Sequence, residues 1–500
     1  MSGLVAVPIV APLIAAALSI LLGRWRPAQR AISIVTLAAI GVIAVVLVLD
    51  LNDSGGIIVA QAGGWPAPLG ISLVVDRLSG IMLVTSAAML LGVLVYSIGH
   101  GGVERSQAAF HPVYLVLAAG VNASLVTGDL FNLFVSFEMM LVASYVLITM
   151  GGQRERIRSG MTYVVISLVA STFFVVVLAL LYASTGTINM ADLAGRIAQL
   201  PDGVQLMFAL ALLAVFGIKA GLFPLFSWLP DSYPAAAAPV TAIFAGLLTK
   251  IGVYAIIRTQ VLLFDPEIRP ASLLLVVAAL TMAVGVFGAI AQNDVKRILS
   301  FHIVSQIGYM IFGLALFTVA GVAAAIFYTF NNIILKTTLL MTSGLMELRG
   351  GSTRLLRSGG MIRTAPLVGL LFALPALSLA GLPPFGGFVA KFSVFDAGVG
   401  SREWAVVAVA ALVSLMTMYS MNKIWSGVFW GEPEQPPEHE PRTGGRLGGP
   451  VLMVVSTAAL VAMGLAVMIW ARPLFDFTER AAAELLDRRV YIDAVLRPTP

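Results

Sequence analysis

Long uninterrupted apolar runs constrain this chain more than any other feature of its 500 residues. About 20 residues at 1.5 Å rise cross the hydrocarbon core of a bilayer, so runs of 18 or more read as membrane spans. In lipid every backbone group must be hydrogen-bonded internally, which leaves helices or a closed barrel. A barrel needs short alternating strands, and these runs do not alternate. The chain therefore reads as all-α and polytopic. Only 11% of its residues are charged, against about 25% in an average soluble domain.

A hydropathy reading gives about fourteen spans. They lie near 4–22, 31–50, 73–98, 108–126, 129–150, 160–184, 204–223, 239–262, 270–291, 298–317, 320–347, 365–399, 403–429 and 449–471. The first has no basic segment before it and reads as a span rather than a cleaved signal. A Gly/Pro-rich loop covers 55–70, a short surface helix 187–200, and a polar loop 431–449. Beyond Phe475, Phe477, Ala481, Leu485 and Leu486 recur at helical spacing, which predicts an interfacial helix.

Lysine and arginine separate by side. Fifteen, running from Arg24 to Arg446, fall in one set of alternate loops. Four (Arg196, Arg258, Arg269 and Arg402) fall in the other before the tail. The richer side is expected to be cytoplasmic, with both termini outside. Arg480, Arg488, Arg489 and Arg497 of the tail run against this orientation.

Two spans are interrupted by proline. One reads Gly217-Ile-Lys-Ala-Gly-Leu-Phe-Pro224, the other Gly381-Leu-Pro-Pro-Phe-Gly-Gly387. Each is the fourth of a block of five, and an odd number of spans per block inverts the second block. Paired broken helices in inverted halves mark an ion path in transporters; as isolated features, prolines merely kink helices. The expected organisation is N-terminal helices over 1–107, five-helix repeats over 108–262 and 269–429, and a polar loop, last span and amphipathic tail over 430–500.

The chain has six lysines and 24 arginines. The arginines keep to loops and span ends. Five lysines (Lys219, Lys250, Lys336, Lys391 and Lys423) sit inside apolar spans. A desolvated lysine can lose its proton near neutrality, whereas arginine stays charged. A mid-membrane charge costs about 2.5–3.5 kcal/mol on insertion scales, so each needs a reason. Glu138, inside its own span, is the matching acid, and Lys219 is its candidate partner by depth. The alternative is a static ion pair joining two helices. Lys250, Lys336, Lys391 and His302 extend a possible polar line bridged by water. His302 stands near Lys296 and Arg297, so an interfacial position is equally open for it. Lys423 reads as snorkelling, Asp76 and Arg77 as interfacial, and Asp129 as a helix cap.

No Walker loop, Rossmann glycine pattern, HExxH pair or nucleophile elbow is present. With 0 cysteines, thiolate-held clusters are excluded. No enzyme activity, cofactor, metal or nucleic acid is expected.

Asp129-Leu-Phe-Asn-Leu-Phe-Val-Ser-Phe-Glu138 resembles the glutamate-bearing span of D subunits of Mrp-type multisubunit Na+/H+ antiporters. So does Lys219-Ala-Gly-Leu-Phe-Pro-Leu-Phe-Ser-Trp-Leu-Pro-Asp-Ser-Tyr-Pro, with Ala238-Pro-Val-Thr and Lys250 after it. That block and Asp294-Val-Lys-Arg-Ile-Leu-Ser-Phe-His302 are also similar to the proton-pumping antiporter-like subunits of respiratory complex I. Tyr491-Ile-Asp-Ala-Val-Leu resembles the close of D subunits. The resemblance spans almost the whole chain. It implies fourteen core spans, two inverted halves and a midplane chain of buried charges. Glu138 and Lys219 would form the key pair, with Lys250 and Lys391 on the relay. One departure stands out: the family commonly places histidine where Asn331 and Asn332 precede Lys336, and asparagine carries no proton at ordinary pH. The implied function is proton movement coupled to sodium export in a bacterial cell membrane. The implied partners are other antiporter subunits, lipids, protons and sodium ions. The alternative is a proton-pumping subunit of complex I or a membrane-bound hydrogenase.

Overall fold

The computed structural model describes residues 1–152, 154–440 and 449–497; Arg442 and Arg446 of the charge asymmetry lie outside them. Among the described residues, eleven helices are long and apolar enough to cross a membrane. In chain order, with three shorter ones among them, the apolar helices begin with α1 (Val7–Leu21), α2 (Arg26–Ser54), α3 (Arg77–His100), α4 (Phe110–Val126), α5 (Leu130–Thr149) and α6 (Arg154–Thr185). After a short surface helix, α7 (Met190–Ile197), come α8 (Asp202–Ala220), α9 (Ala238–Leu262), α10 (Ala271–Ala291), α11 (Val295–Ala315) and α12 (Val319–Gly350). The broken helix α13 (Pro366–Ala380) and α14 (Gly386–Gly400) follows, then α15 (Trp404–Trp430) and α16 (Val451–Ile469). The tail forms α17 (Ala471–Leu486) and α18 (Arg488–Leu496).

The centre of the bundle is α9, α11 and α12, whose most apolar windows are 100%, 94% and 89% buried inside the protein. The flanking α2, α10 and α15 turn most of their surface outward. Those three central helices carry Lys250, His302 and Lys336, so these residues face protein on all sides rather than lipid.

Two helix starts are built alike. Asp129 caps α5 by accepting from Asn132 N (2.8 Å), and Asp294 caps α11 by accepting from Arg297 N (3.0 Å). Each start is pinned by an antiparallel bridge to a later segment, Asp129 to Asn189 and Asp294 to Arg354. Leu130 N bonds Ile188 O, and Val295 N bonds Thr353 O. The two proline breaks also match. Gly221 and Gly381 take φ of +80° and +85° as left-handed caps, a conformation only glycine adopts without strain. The following leucines, Leu222 and Leu382, bond back to Gly217 O and Leu377 O.

The charges segregate by end. At one end Arg30 pairs with Glu104 (2.8 Å), Arg297 with Asp231 (2.9 Å) and Arg354 with Glu438 (3.2 Å). Burial works to raise the Glu104 carboxyl, but hydrogen bonds from His111 and Arg30, with the Arg30 charge, bring it down to about 2. At the other end Arg258 pairs with Asp76, Arg77 with Glu484, and Arg488 with Asp265. Of the tail arginines, Arg488 therefore meets an acid at the arginine-poor end.

Three features differ from the sequence reading. The 55–70 loop belongs to an antiparallel ribbon of β1 (Ile58–Gln61) and β2 (Ser72–Val75), in register Ile58 to Val75; strands of four residues are too short to show alternation. Asp76 and Arg77 are not interfacial, since both are buried in ion pairs. The tail helix α17 lays its apolar face (Phe477, Ala481, Leu485) on α12 and α3 rather than on a membrane surface.

Candidate functional site

Glu138 lies on α5 and Lys219 on the last turn of α8, just before the Gly221 break. They do not touch. Ser171, on α6 between them, donates a short hydrogen bond to Glu138 Oε1 and accepts from Lys219 Nζ at 3.0 Å. Lys219 Nζ also donates to Ser167 O at 3.3 Å, and stands 5.9 Å from the Phe137 ring centre. Lys219 is buried; Glu138 is half-buried. A void of about 10 Å³ adjoins Lys219, lined in part by Ser167, Tyr233 and Leu248, a volume that admits about one water.

Lys250 is fully buried on α9, where Phe244–Leu248 forms a widened π turn. Its Nζ donates to Ala245 O within that turn, at 2.6 Å. Extra-wide turns of this kind concentrate at functional positions in helices.

Lys336 is fully buried on α12 and, among the described residues, hydrogen-bonds only Leu299 O, at 3.5 Å. It lies within electrostatic range of both Lys250 and Lys391. His302 is fully buried on α11. Its Nε2 makes a short hydrogen bond with Ser420 Oγ of α15, and it lies in range of Lys336 and Lys391. Lys391, in the second half of the broken helix, donates to Ala380 O (3.0 Å) and Ser414 Oγ (2.9 Å). The break makes this possible: Ala380 is the last residue of α13, and its carbonyl has no following turn to satisfy it. Tyr309 covers Lys391 at 5.4 Å.

The row therefore has two parts: Glu138, Ser171 and Lys219, joined by hydrogen bonds, and Lys336 with Lys250, His302 and Lys391 in electrostatic range of it. The helices α8 and α9, which carry Lys219 and Lys250, pack together. Buried polar atoms without a protein partner gather along the row: His302 Nδ1, Gln306 Nε2, Asn331 Oδ1, Asn332 Oδ1, Thr249 Oγ1 and Thr337 Oγ1. Buried polar groups are normally satisfied, and a string of unsatisfied donors and acceptors is the environment that ordered water occupies. Lys423 stands apart. Its Nζ donates to Ile290 O and Gln292 O (2.9 and 2.7 Å), closing the C-terminal end of α10.

Serine is the component that sequence reasoning missed. Ser167 and Ser171 stand four apart on one face of α6, and Ser414 and Ser420 contact Lys391 and His302 from α15. The only signal available was the i, i+4 spacing of the first two in an otherwise apolar span.

Comparison with known proteins places this arrangement. Residues 127–417 match the model of the family described as NADH:quinone oxidoreductase/Mrp antiporter, transmembrane. The D subunit of the Na+/H+ antiporter of Alkalihalophilus pseudofirmus is 41% identical, over 99% of this chain and 100% of its own length.

The chain belongs to the NADH:quinone oxidoreductase/Mrp antiporter family.

Among solved structures, a chain of the Mrp complex from Dietzia sp. superposes with a TM-score of 0.91 at 33% identity, covering 99% of this chain and 100% of the other. A chain of the membrane-bound sulfane sulfur reductase, an archaeal respiratory membrane complex, superposes with a TM-score of 0.90 at 25% identity, with the same coverage. The NADH:quinone oxidoreductase/Mrp antiporter match takes in every residue of the row from Glu138 to Lys391. It leaves out Lys423 and the tail.

Proposed function

We propose that this chain is the D-type, proton-translocating subunit of a multisubunit Na+/H+ antiporter in a bacterial cell membrane, working with other subunits of that complex. The observation that carries the reading is the 41% identity to an antiporter D subunit over both full lengths, joined to the set of largely buried ionisable groups from Glu138 to Lys391.

The same reading takes the three shorter apolar helices as spans, which with the eleven long ones makes fourteen. It takes 108–262 and 269–429 as inverted repeats, between N-terminal helices over 1–107 and a C-terminal region over 430–500. The matched Asp129 and Asp294 caps, the matched bridges and the matched glycine breaks support it. So does direction: Gly151 and Arg156, beyond the end of α5, line the same cavity as Lys296 at the start of α11. The arginine-rich end is cytoplasmic in this reading.

Protons pass along Glu138, Lys219, Lys250, Lys336, His302 and Lys391, handed on by water and serine hydroxyls. Lysine suits each station because a desolvated ammonium gives up its proton readily when a neighbouring charge changes. Ser171 sets the coupling between Glu138 and Lys219: it holds both in one hydrogen-bonded unit while keeping the charges apart. Asn331 and Asn332 hold water rather than protons. Sodium and protons are the ions, lipids the surroundings, and neither cofactor nor metal enters the scheme.

The test is sodium-driven proton flux in inverted vesicles carrying the whole complex. Wild type is compared with Glu138→Ala and Lys219→Ala at matched assembly. Loss of flux in both variants supports the path, and normal flux in both reduces the pair to helix contacts. The likeness to a respiratory complex at 25% identity favours a second reading, a redox-driven pump. Wild-type vesicles with no sodium-driven flux would favour that one.

A further inference from the structure

A polar cavity of about 400 Å³ opens at the arginine-rich end, where α3, α6, α9, α11 and α12 meet the loop after α15. It is separate from the row of buried ionisable groups. Its acid is Glu347, near the end of α12, with a side chain 36% exposed and paired to the 8%-exposed Lys296 at 2.7 Å. The other titratable or charged groups facing it are His100 and Tyr96 from α3, Arg156 from α6, and His439 and Glu440 from the loop.

Beneath the cavity three helices close up. The Tyr96 hydroxyl donates to Met341 O at 2.7 Å, and the Tyr96 ring stacks on His100. Gly344 fits only because it lacks a side chain: a Cβ there would lie 2.3 Å from the Tyr96 hydroxyl and 2.6 Å from Ala238 Cβ. Below this contact come Thr337 Oγ1, without a protein partner, and Lys336. Glu347 and Lys336 are eleven residues apart on α12. That separation is about 16 Å and returns to within about 20° of the same face. Glu347 and Lys336 thus share one face of α12 between the cavity and the row, with Gly344 and Thr337 about 80–100° round the helix from Lys336.

We propose that this cavity is the aqueous port of the proton path, that Glu347 exchanges protons there, and that the Tyr96–Gly344–Ala238 contact is the gate beneath it, closed in this structure. The proposal rests on the antiporter reading above. It adds an entry point and an exchanging group. Proton transfer needs only a carboxyl at the water boundary and a hydrogen-bonded route inward, and Lys296 keeps Glu347 oriented while the cavity keeps it wet. A purely structural Lys296–Glu347 pair would instead tie α11 to α12 without exchanging protons.

The test uses the whole complex in vesicles. Wild-type sodium-driven proton flux comes first, because its absence sinks the antiporter reading and not the port. With wild type active, Glu347→Gln is expected to slow flux roughly a hundredfold, the lower end of what a positioned proton-transfer group contributes. Glu347→Asp is expected to keep most of the flux, with its pH profile displaced. Lys296→Met keeps the acid and is expected to retain flux with a shifted profile. Equal loss in Glu347→Gln and Lys296→Met, restored in the double variant, would make the pair structural and overturn the proposal.

Because this chain has 0 cysteines, Ala238→Cys gives a second readout, with the flux of the unmodified variant as its control for folding. Modification with a membrane-impermeant quaternary-ammonium thiosulfonate is expected to block flux from one face only. Complete modification without block would also overturn the port.

Discussion

Lys219 and Glu138 communicate through Ser171, which accepts from the ammonium at 3.0 Å and donates to the carboxylate. A hydrogen bond to a charged group contributes about 1.5–3 kcal/mol, and about 1.4 kcal/mol is tenfold in rate. Ser171→Ala should therefore lower sodium-driven proton flux about tenfold or more, with assembly unchanged. Ser171→Thr, which keeps the hydroxyl, should retain most of it. Flux measured in matched vesicles checks both. An unchanged Ser171→Ala would mean that water replaces the hydroxyl fully.

Lys423 offers a comparison between a helix-closing lysine and those proposed to carry protons. It closes the end of α10 by donating to two carbonyls, and a cation there stabilises a helix by about 0.3–1 kcal/mol. Lys423→Gln should keep more than half of wild-type flux and slightly lower thermal stability, whereas Lys391→Ala should lose flux at normal stability. Comparing melting and flux for the two variants distinguishes the roles.

At the opposite end, Asp76 and Arg258 form a buried bidentate pair, with hydrogen bonds of 2.5 and 2.7 Å. Burial works to raise Asp76, but the Arg258 charge and hydrogen bonds, with those from Ser79, outweigh it and hold the carboxyl below its usual range. Removing one partner of such a pair costs about 3–5 kcal/mol, because the other charge stays buried. Asp76→Asn should sharply reduce folded yield, and adding Arg258→Met should recover part of it. Size-exclusion yield and thermal unfolding provide the measure.

Glu484 on the tail gives a pH dependence. Burial, then the Asp76 charge, raise its carboxyl, and Arg77 only partly offsets them, leaving it at about 7. A carboxyl raised in the folded state contributes stability that is fully present below its ordinary value of 4.5 and is lost as pH rises through about 7. Hydrogen exchange in α17 and α18 should accelerate between pH 5 and pH 8 beyond the intrinsic rate. In Glu484→Gln that extra acceleration should vanish. Persistence of the same acceleration in the variant would assign it to another group.

Much of this protein was legible along the chain because a bilayer imposes a one-dimensional rule. Each crossing needs about 20 apolar residues, so the polytopic helical class, the two glycine-proline breaks and the lysines stranded in apolar runs could be read directly. The charge asymmetry between ends was legible for the same reason. Tertiary structure decided which of those charged groups meet, and through what. Ser171 between Glu138 and Lys219, Ser414 against Lys391, the burial of His302 and the burial of Asp76 against Arg258 all depend on helices distant in sequence packing side by side. Hydropathy averages over a helix and does not register which face turns inward. A serine in an apolar span looks alike whether it bridges two charges or bonds its own backbone. The docking of the tail on α12 was hidden for the same reason, since its partners lie far along the chain, whereas the ribbon at Ile58–Gln61 and Ser72–Val75 escaped because its strands are only four residues long.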